Sequence, residues 1–459
     1  MRLCENYWAI KLIAATHSPM ATGGACRGLF CTILLVVGLT HAAHAFDTLQ
    51  FGDIEVDPTI NTRLGLQYGD NINFGLGALD DIGETERSTL YLALKPEFHT
   101  RIQTGESQVY GGLSVVAATT TLDGGISGQF ARSGDQVLDT DHAYVGWRNE
   151  LIDLSFGGQE FTVGDGLVIG DGNFNMGGEN GQYWTGAFLT WRNTAVLRIN
   201  TSPIRAELFW LRTDKDFRDS RVAGVHLETN DWEYGTLGAM YFEVLQGGAF
   251  NVDGMNVWNL RANHVRLPWI KDLEFFGEWV RELGIDKQGG GAENDAVGWY
   301  AELQYTFSAL PWQPRASYRY ARFSGDEADT EDNEEYRGLF FTIFKRDWDT
   351  WYQGEIAGEY HLFNRNQITQ MFKLKAFPHP RWALTFYYYH HELEEPQYFG
   401  LPVSDENWAD ELNFGVEHFI DKRFYGYAGI AWSTPNTAAE EVFGNENFAV
   451  VQTFLSFTF

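Results

Sequence analysis

The stretch Val451-Gln452-Thr453-Phe454-Leu455-Ser456-Phe457-Thr458-Phe459, on which the chain ends, decides the reading of the fold. Val451, Thr453, Leu455, Phe457 and Phe459 form one largely apolar face, while Gln452, Ser456 and Thr458 fall mostly on the other. A period of two marks a strand whose faces meet different media. Alone, the segment also fits an edge strand of a soluble β-sandwich. What separates the two is recurrence along the chain. Apolar rows with polar or small partners return at Leu90-Leu92-Leu94, Val109-Gly111-Leu113-Val115, Ala143-Val145-Trp147, Trp258-Leu260-Ala262, Trp299-Ala301-Leu303-Tyr305-Phe307 and Ile430-Trp432. The expected fold is all-β, a transmembrane antiparallel β-barrel with lipid on one face and a polar lumen on the other.

Connections of two lengths alternate between these rows. Short ones fall at Gln103 to Glu106, Asn149-Glu150, Ser202-Pro203, Leu267 to Asp272, Leu310 to Pro314, Pro378 to Arg381 and Ile420 to Arg423. Proline concentrates there, where no ladder donor is needed. Long ones run from Gly69 to Arg87, Thr120 to Asp139, Phe161 to Gln182, Gly284 to Ala296, Ser324 into the 360s, Leu393 to Asp410, and Ser433 to Asn447. Short periplasmic turns and long extracellular loops are the expected asymmetry, and it requires an even number of strands. Counting Tyr336 to Phe363 as part of one extracellular excursion gives about 18 strands. Counting it as two further strands gives about 20, and the smaller number is preferred.

The N-terminal 45 residues read as a cleavable signal peptide, with Arg27, an apolar run from Leu29 to Leu39, and Ala43-His44-Ala45 before the expected cut. That run is too short for a helix to span a bilayer. Cys4, Cys26 and Cys31 all lie in this leader, so residues 46–459, read as one barrel, carry no thiol chemistry or disulfide. Gly 49, Phe 34, Tyr 21 and Trp 16 against 12 Pro suit aromatic strands and glycine turns. A net charge of −29 excludes nucleic acid as a partner, because phosphates need a basic face.

Several segments resemble the alginate-export family of outer-membrane proteins. They are Leu310-Pro311-Trp312, Arg319 to Asp326, and Trp348-Asp349-Thr350-Trp351-Tyr352-Gln353-Gly354-Glu355-Ile356. In a fourth, Leu154 to Phe161, Gly157-Gly158-Gln159 stands where the family has Gly-Arg-Gln. The resemblance implies an 18-stranded porin barrel that passes an anionic, alginate-like polysaccharide through a lumen lined with arginine and lysine. It also implies contact with lipopolysaccharide, the barrel-assembly machinery and periplasmic export proteins.

Strand phase assigns the lumen side independently, since a one-residue slip would exchange the two faces. It places Lys95, Arg101, Arg148, Arg198, Arg261, Arg315, Arg319, Lys373 and Lys375 inward. Such a row can act as a ladder of weak sites for an acidic chain. Glu97, Glu207, Glu228, Glu278, Glu302 and Glu417 also point inward, so the same cations can be halves of structural ion pairs. Inward Tyr144, Tyr387 and Tyr389 are candidates to stack on sugar rings, whereas Trp258, Trp299 and Tyr320 read as interfacial girdle.

Gly164-Asp165-Gly166 and Gly170-Asp171-Gly172 lack the spacing of a full calcium loop, leaving Asp165 and Asp171 as weak ligand candidates. A surface loop is preferred for Phe161 to Gln182 over an inward constriction, and Thr120 to Asp139 is an alternative lid. His142, His361, His379, His390 and His391 show no metal spacing, and no serine sits in a nucleophile elbow. No cofactor and no enzyme activity are expected, with an outer-membrane hydrolase as the remote alternative. The expected function is export or passive passage of an anionic polysaccharide, the alternative being a general or cation-preferring porin.

Overall fold

The computed structural model describes residues 46–129, 131–173, 185–214, 219–247, 252–285, 293–327, 329–342, 344–346, 349–421 and 423–459. The expected signal peptide lies outside these residues, as does the end of the glycine-rich stretch, 174–184. The wall begins with β1 (Ile54–Asp70), β2 (Glu86–Thr104), β3 (Ser107–Leu122), β4 (Gln136–Arg148), β5 (Ile152–Gln159) and β6 (Trp191–Ile199). It continues through β7 (Ile204–Arg212), β8 (Arg221–Thr229), β9 (Thr236–Gln246), β10 (Asn256–Arg266), β11 (Leu273–Ile285) and β12 (Glu293–Thr306). The last third is β13 (Arg315–Phe323), β14 (Gln367–His379), β15 (Trp382–Leu393), β16 (Asn407–Asp421), β17 (Phe424–Pro435) and β18 (Phe448–Thr458).

Each strand pairs antiparallel with the next, and β1 pairs with β18 from Asn61↔Thr458 to Asp70↔Ala449, closing an 18-strand barrel. Phe459 N–H donates to Ile60 O at 3.0 Å and Ile60 N–H to Phe459 O at 3.2 Å, so the terminal aromatic segment completes the seam. A nineteenth strand, Leu49–Phe51, is only a short hairpin partner of β1. Closure pairs each of these eighteen wall strands on both sides, so the wall itself offers no edge for another chain to extend.

The expected faces hold. Leu92, Phe98, Leu113, Val145, Trp147, Trp258, Leu260, Leu303, Leu374, Phe414 and Trp432 project outward as a continuous apolar band. Trp232, Trp269 and Trp312 stand exposed at the short-turn end, where indole suits the membrane interface. This architecture places the chain in the outer membrane. Leu260→Lys, half-way along β10, is therefore expected to destabilise the barrel by about 2–4 kcal/mol in bilayers. Urea midpoints of the protein folded into phosphatidylcholine vesicles measure the loss.

Two features of the interior depart from a simple polar lumen. The segment 336–363 is not wall: Phe344–Arg346 pairs with Asp349–Thr350, and Ala357–Leu362 forms one π-helical turn, all within the connection between β13 and β14. That connection turns inward and packs on apolar inward residues such as Phe209, Val222, Phe242, Val257, Phe276, Val280 and Phe323. The second departure is residues 161–173, expected at the surface. Phe161, Val163, Leu167, Val168 and Ile169 are buried within the same apolar cluster. Surface placement fails because these residues are interspersed among the glycines, and burial of their side chains outweighs the freedom that glycine confers.

Candidate functional site: the barrel lumen

The two inward segments are joined to each other. Gly170 and Asp171 N–H both donate to Phe340 O, at 2.7 and 3.0 Å, and Thr342 N–H donates to Gly166 O at 2.9 Å. Trp351 Nε1 reaches Asp165 O at 2.8 Å, and Trp191 Nε1, on the wall, reaches Phe161 O at 2.9 Å. A glycine at 170 is required by this approach: a Cβ there would lie 2.6 Å from Thr342 N. Together the segments fill part of the barrel interior with packed side chains.

Residues 354–362 continue this filling towards the wall formed by β15 to β18, β1 and β2. Glu411 on β16 points inward, and its carboxylate accepts N–H groups from Glu355 at 2.7 Å, Ile356 at 3.2 Å and Ala357 at 2.8 Å. Gln452 on β18 donates to Glu355 at 2.7 Å. A side-chain acceptor here satisfies three backbone donors that no strand could reach, which fixes the start of the π-helical turn. Residues of the stretch read as an alternative lid take part as well, since Ile126 is buried beside this turn and Gln129 Nε2 donates to Tyr360 O at 2.7 Å.

The inward cations occupy the expected face, and most of them meet carboxylates. Lys95 lies 2.7 Å from Asp141, and Arg198 lies 2.9 Å from Glu207. Arg101 binds Glu55 and, at 2.8 Å, Asp57 at the short-turn rim. Arg261 binds Glu228 beside His226, which itself lies 2.7 Å from Glu207. Lys375 reaches Glu417 at 2.5 Å. Arg148 is exposed, donates to Gln108 at 2.9 Å and covers the Tyr110 ring.

Arg319 lies in the most enclosed of these networks. Its Nε meets Glu302 at 3.0 Å, another guanidinium nitrogen meets Asp349, and a third donates to Gln353 at 2.9 Å. Lys345 meets Glu302 at 2.5 Å, and Lys373 meets Asp349 at 3.2 Å. Three cations and two carboxylates thus hold the inward loop to β12, β13 and β14. Sequence phase identified Arg319, Lys373 and Glu302 as inward. It did not identify Lys345, Asp349 or Glu411, whose roles depend on a loop that leaves the strand pattern.

Arg315 is different. Among the described residues no carboxylate binds it, and its guanidinium lies 4.9 Å above the Phe377 ring. It lines a cavity of about 640 Å³ with Lys373, Lys375, Gln304, Glu274 and Arg266, next to the short turn 267–272. That cavity opens at the turn end of the barrel.

The aromatic candidates are placed unevenly. Tyr387 and Tyr389 stack on each other at 5.8 Å, and Tyr389 stacks on His391 at 5.7 Å, with both tyrosines buried. Their faces are covered by neighbours. Tyr144 lies beside Tyr110 and His142, with its hydroxyl 3.4 Å from His99. Asp165 and Asp171 do not form a calcium loop: Asp165 contributes its backbone carbonyl to Trp351, and the Asp171 carboxylate caps Asn173 N–H at 2.8 Å. Among the described residues no group of histidine and acidic side chains is placed to hold a metal.

No family model matches the chain, and no curated protein matches it. Solved structures do. OccAB3 of Acinetobacter baumannii aligns with TM-score 0.59 and 12% identity, covering 88% of this chain and 100% of its own. A BenF-like porin from Pseudomonas fluorescens Pf-5 gives 0.59 and 10%, covering 88% and 98%. Pseudomonas aeruginosa OccK2 (OpdF), solved in complex with glucuronate, gives 0.56 and 14%, covering 88% and 97%. At such identities the likeness is one of fold. It supports a closed 18-strand antiparallel barrel and lends no support to the alginate-export family.

Proposed function

We propose that the chain is a narrow diffusion porin for small hydrophilic solutes, a passive channel without catalytic chemistry. The observation that carries this reading is the pair of inward segments, 161–173 and 336–362, packed inside the barrel. A polymer needs a continuous bore along which successive units can slide, whereas here side chains of two loops occupy the interior. The neutralisation of Lys95, Arg198, Arg261, Arg319 and Lys375 by carboxylates points the same way, because a paired cation has less to offer a passing acid. Anionic polysaccharide passage, implied by the family resemblance, is therefore the weaker reading.

Liposome swelling tests it. Proteoliposomes should admit a monosaccharide such as glucuronate and exclude oligouronates of several units. Equal rates for both would overturn the small-solute reading.

The absence of a carboxylate partner for Arg315 among the described residues favours one refinement, a vestibule that attracts anions. Arg315 lines the open cavity beside Lys373 and Lys375, whose charges are already shared with Asp349 and Glu417, and glucuronate, bound by OccK2, has the size and charge to enter it. Charged rims act on permeating ions over about a Debye length, about 8 Å at physiological salt. Arg315→Gln is expected to move the reversal potential under a salt gradient towards cation preference and to slow glucuronate entry. The heat-resistant gel band should persist, since no carboxylate is left without a partner. An unchanged reversal potential removes Arg315 from solute selection.

A further inference from the structure

Inside the barrel, Glu355 and Glu359 sit on the inward turn next to Glu411, and almost nothing of the three is exposed. Glu411 accepts three backbone N–H groups of the turn. Glu355 receives one hydrogen bond from Gln452, and Glu359 Oε1 has no partner. The charged groups acting on Glu355 are Glu411 and Asp349, and those acting on Glu359 are Glu355 and Glu411. Among the described residues no cation answers them. The other titratable groups around the turn are phenols and imidazoles: Tyr91 on β2, Tyr389 and His391 on β15, Tyr398 beyond β15, whose hydroxyl donates to His361 O at 3.1 Å, Tyr427 on β17, and Tyr360 and His361 on the turn itself.

We propose that residues 354–362 are an alkali-released plug, held in the lumen while Glu355 and Glu359 carry protons beside Glu411, whose oxygens accept the N–H groups of the turn, and freed when Glu355 and Glu359 ionise. Burial is the main cause that keeps them protonated, and the neighbouring carboxylates add to it. Glu355 is pushed up to about 8 from an ordinary 4.5, and Glu359 is raised too. Once the turn swings out into water both return to the ordinary range. The docked state therefore holds more protons than the released state between about pH 4.5 and 8, and its advantage falls as pH rises through that window. Each pH unit in the window shifts the balance towards release by roughly tenfold per titrating group. His361 takes no part, because burial lowers it to about 3 and it stays neutral throughout.

The consequence for flow rests on the porin reading, while the motion of the plug does not, so the experiment reads both separately. Ala357→Cys supplies the single thiol of the processed chain, and an exposed Glu106→Cys supplies the reference. Maleimide labelling of the Ala357→Cys variant, divided by that of the reference at the same pH, should rise by at least about tenfold between pH 6 and 9. Bilayer conductance should rise with it. In Glu355→Gln/Glu359→Gln, which mimics the protonated pair, both should stay low at pH 9. Should the double variant fail to assemble, Glu359→Gln, which gives up no side-chain hydrogen bond, makes the comparison with a shallower rise. A labelling ratio independent of pH with both glutamates in place overturns the proposal, as does the same rise with glutamine at both positions. Labelling that rises without any conductance supports the plug and overturns the porin reading alone.

Discussion

Asp349→Asn is expected to weaken docking of the inward loop by about 3–5 kcal/mol, the range found when one partner of a buried ion pair is removed. The size follows from enclosure. Arg319, Lys345, Lys373, Glu302 and Asp349 have side chains between 0% and 8% exposed, so water cannot replace a lost partner. With Asp349 neutral, three cations face Glu302 alone. An exposed pair of similar geometry, such as Arg266 and Glu274 at 2.9 Å, contributes at most about 1 kcal/mol and serves as the control. Protease cleavage within 336–362 should accelerate and conductance should rise, while the folded barrel band still forms, because the wall ladders are untouched, though it should convert to the unfolded band faster on heating. If cleavage and conductance match the parent, the network does not hold the loop.

Glu411→Ala should be nearly as severe and should act at the opposite side of the loop. It removes the acceptor of three buried N–H groups, each of which is left at a penalty of about 1–3 kcal/mol unless the turn moves to water. Movement is the expected response. Hydrogen exchange at the amides of Glu355, Ile356 and Ala357 should rise from strong protection to the rate of a surface loop. Glu411→Gln keeps one side-chain oxygen and should preserve part of the protection. Full protection in the alanine variant would show that packing around Tyr360 and Phe448, rather than the carboxylate, seats the turn.

The sequence made the wall legible and the interior much less so. Period-two rows assigned the faces correctly at Leu260 against Arg261, Leu374 against Lys373 and Lys375, and Tyr318 against Arg319, because lipid and lumen impose opposite demands on neighbouring residues. The short turn 230–235 and the long connections 213–220 and 247–255 were missed, lying between strands too short for a clear pattern. What hid the inward loops was the assumption that every apolar residue seeks lipid. Leu208-Phe209-Trp210-Leu211 and Val280 have apolar neighbours on the inner face, where a polar residue was expected, and those residues meet the loops. Runs apolar on both faces were the available signal. The partners of the inward cations could be named as glutamates on neighbouring strands, as with Glu302 for Arg319, but Asp349 and Lys345 belong to a loop whose path no strand phase predicts.

The seam between β1 and β18 joins segments almost a whole chain apart, and its register extends over Asn61 to Asp70, against Ile54 to Asp70 for the β1–β2 pair. Gln67 on β1 donates to Gln452 on β18 at 3.3 Å, and Gln452 in turn donates to Glu355. The loop between β13 and β14 therefore clasps a junction that belongs to the two ends of the barrel. Contacts so distant in sequence form late in assembly, after the local hairpins. A barrel whose loop has been released should consequently unzip faster at this seam, so the lifetime of the assembled state, and not only the bore, is set by how firmly that loop is seated.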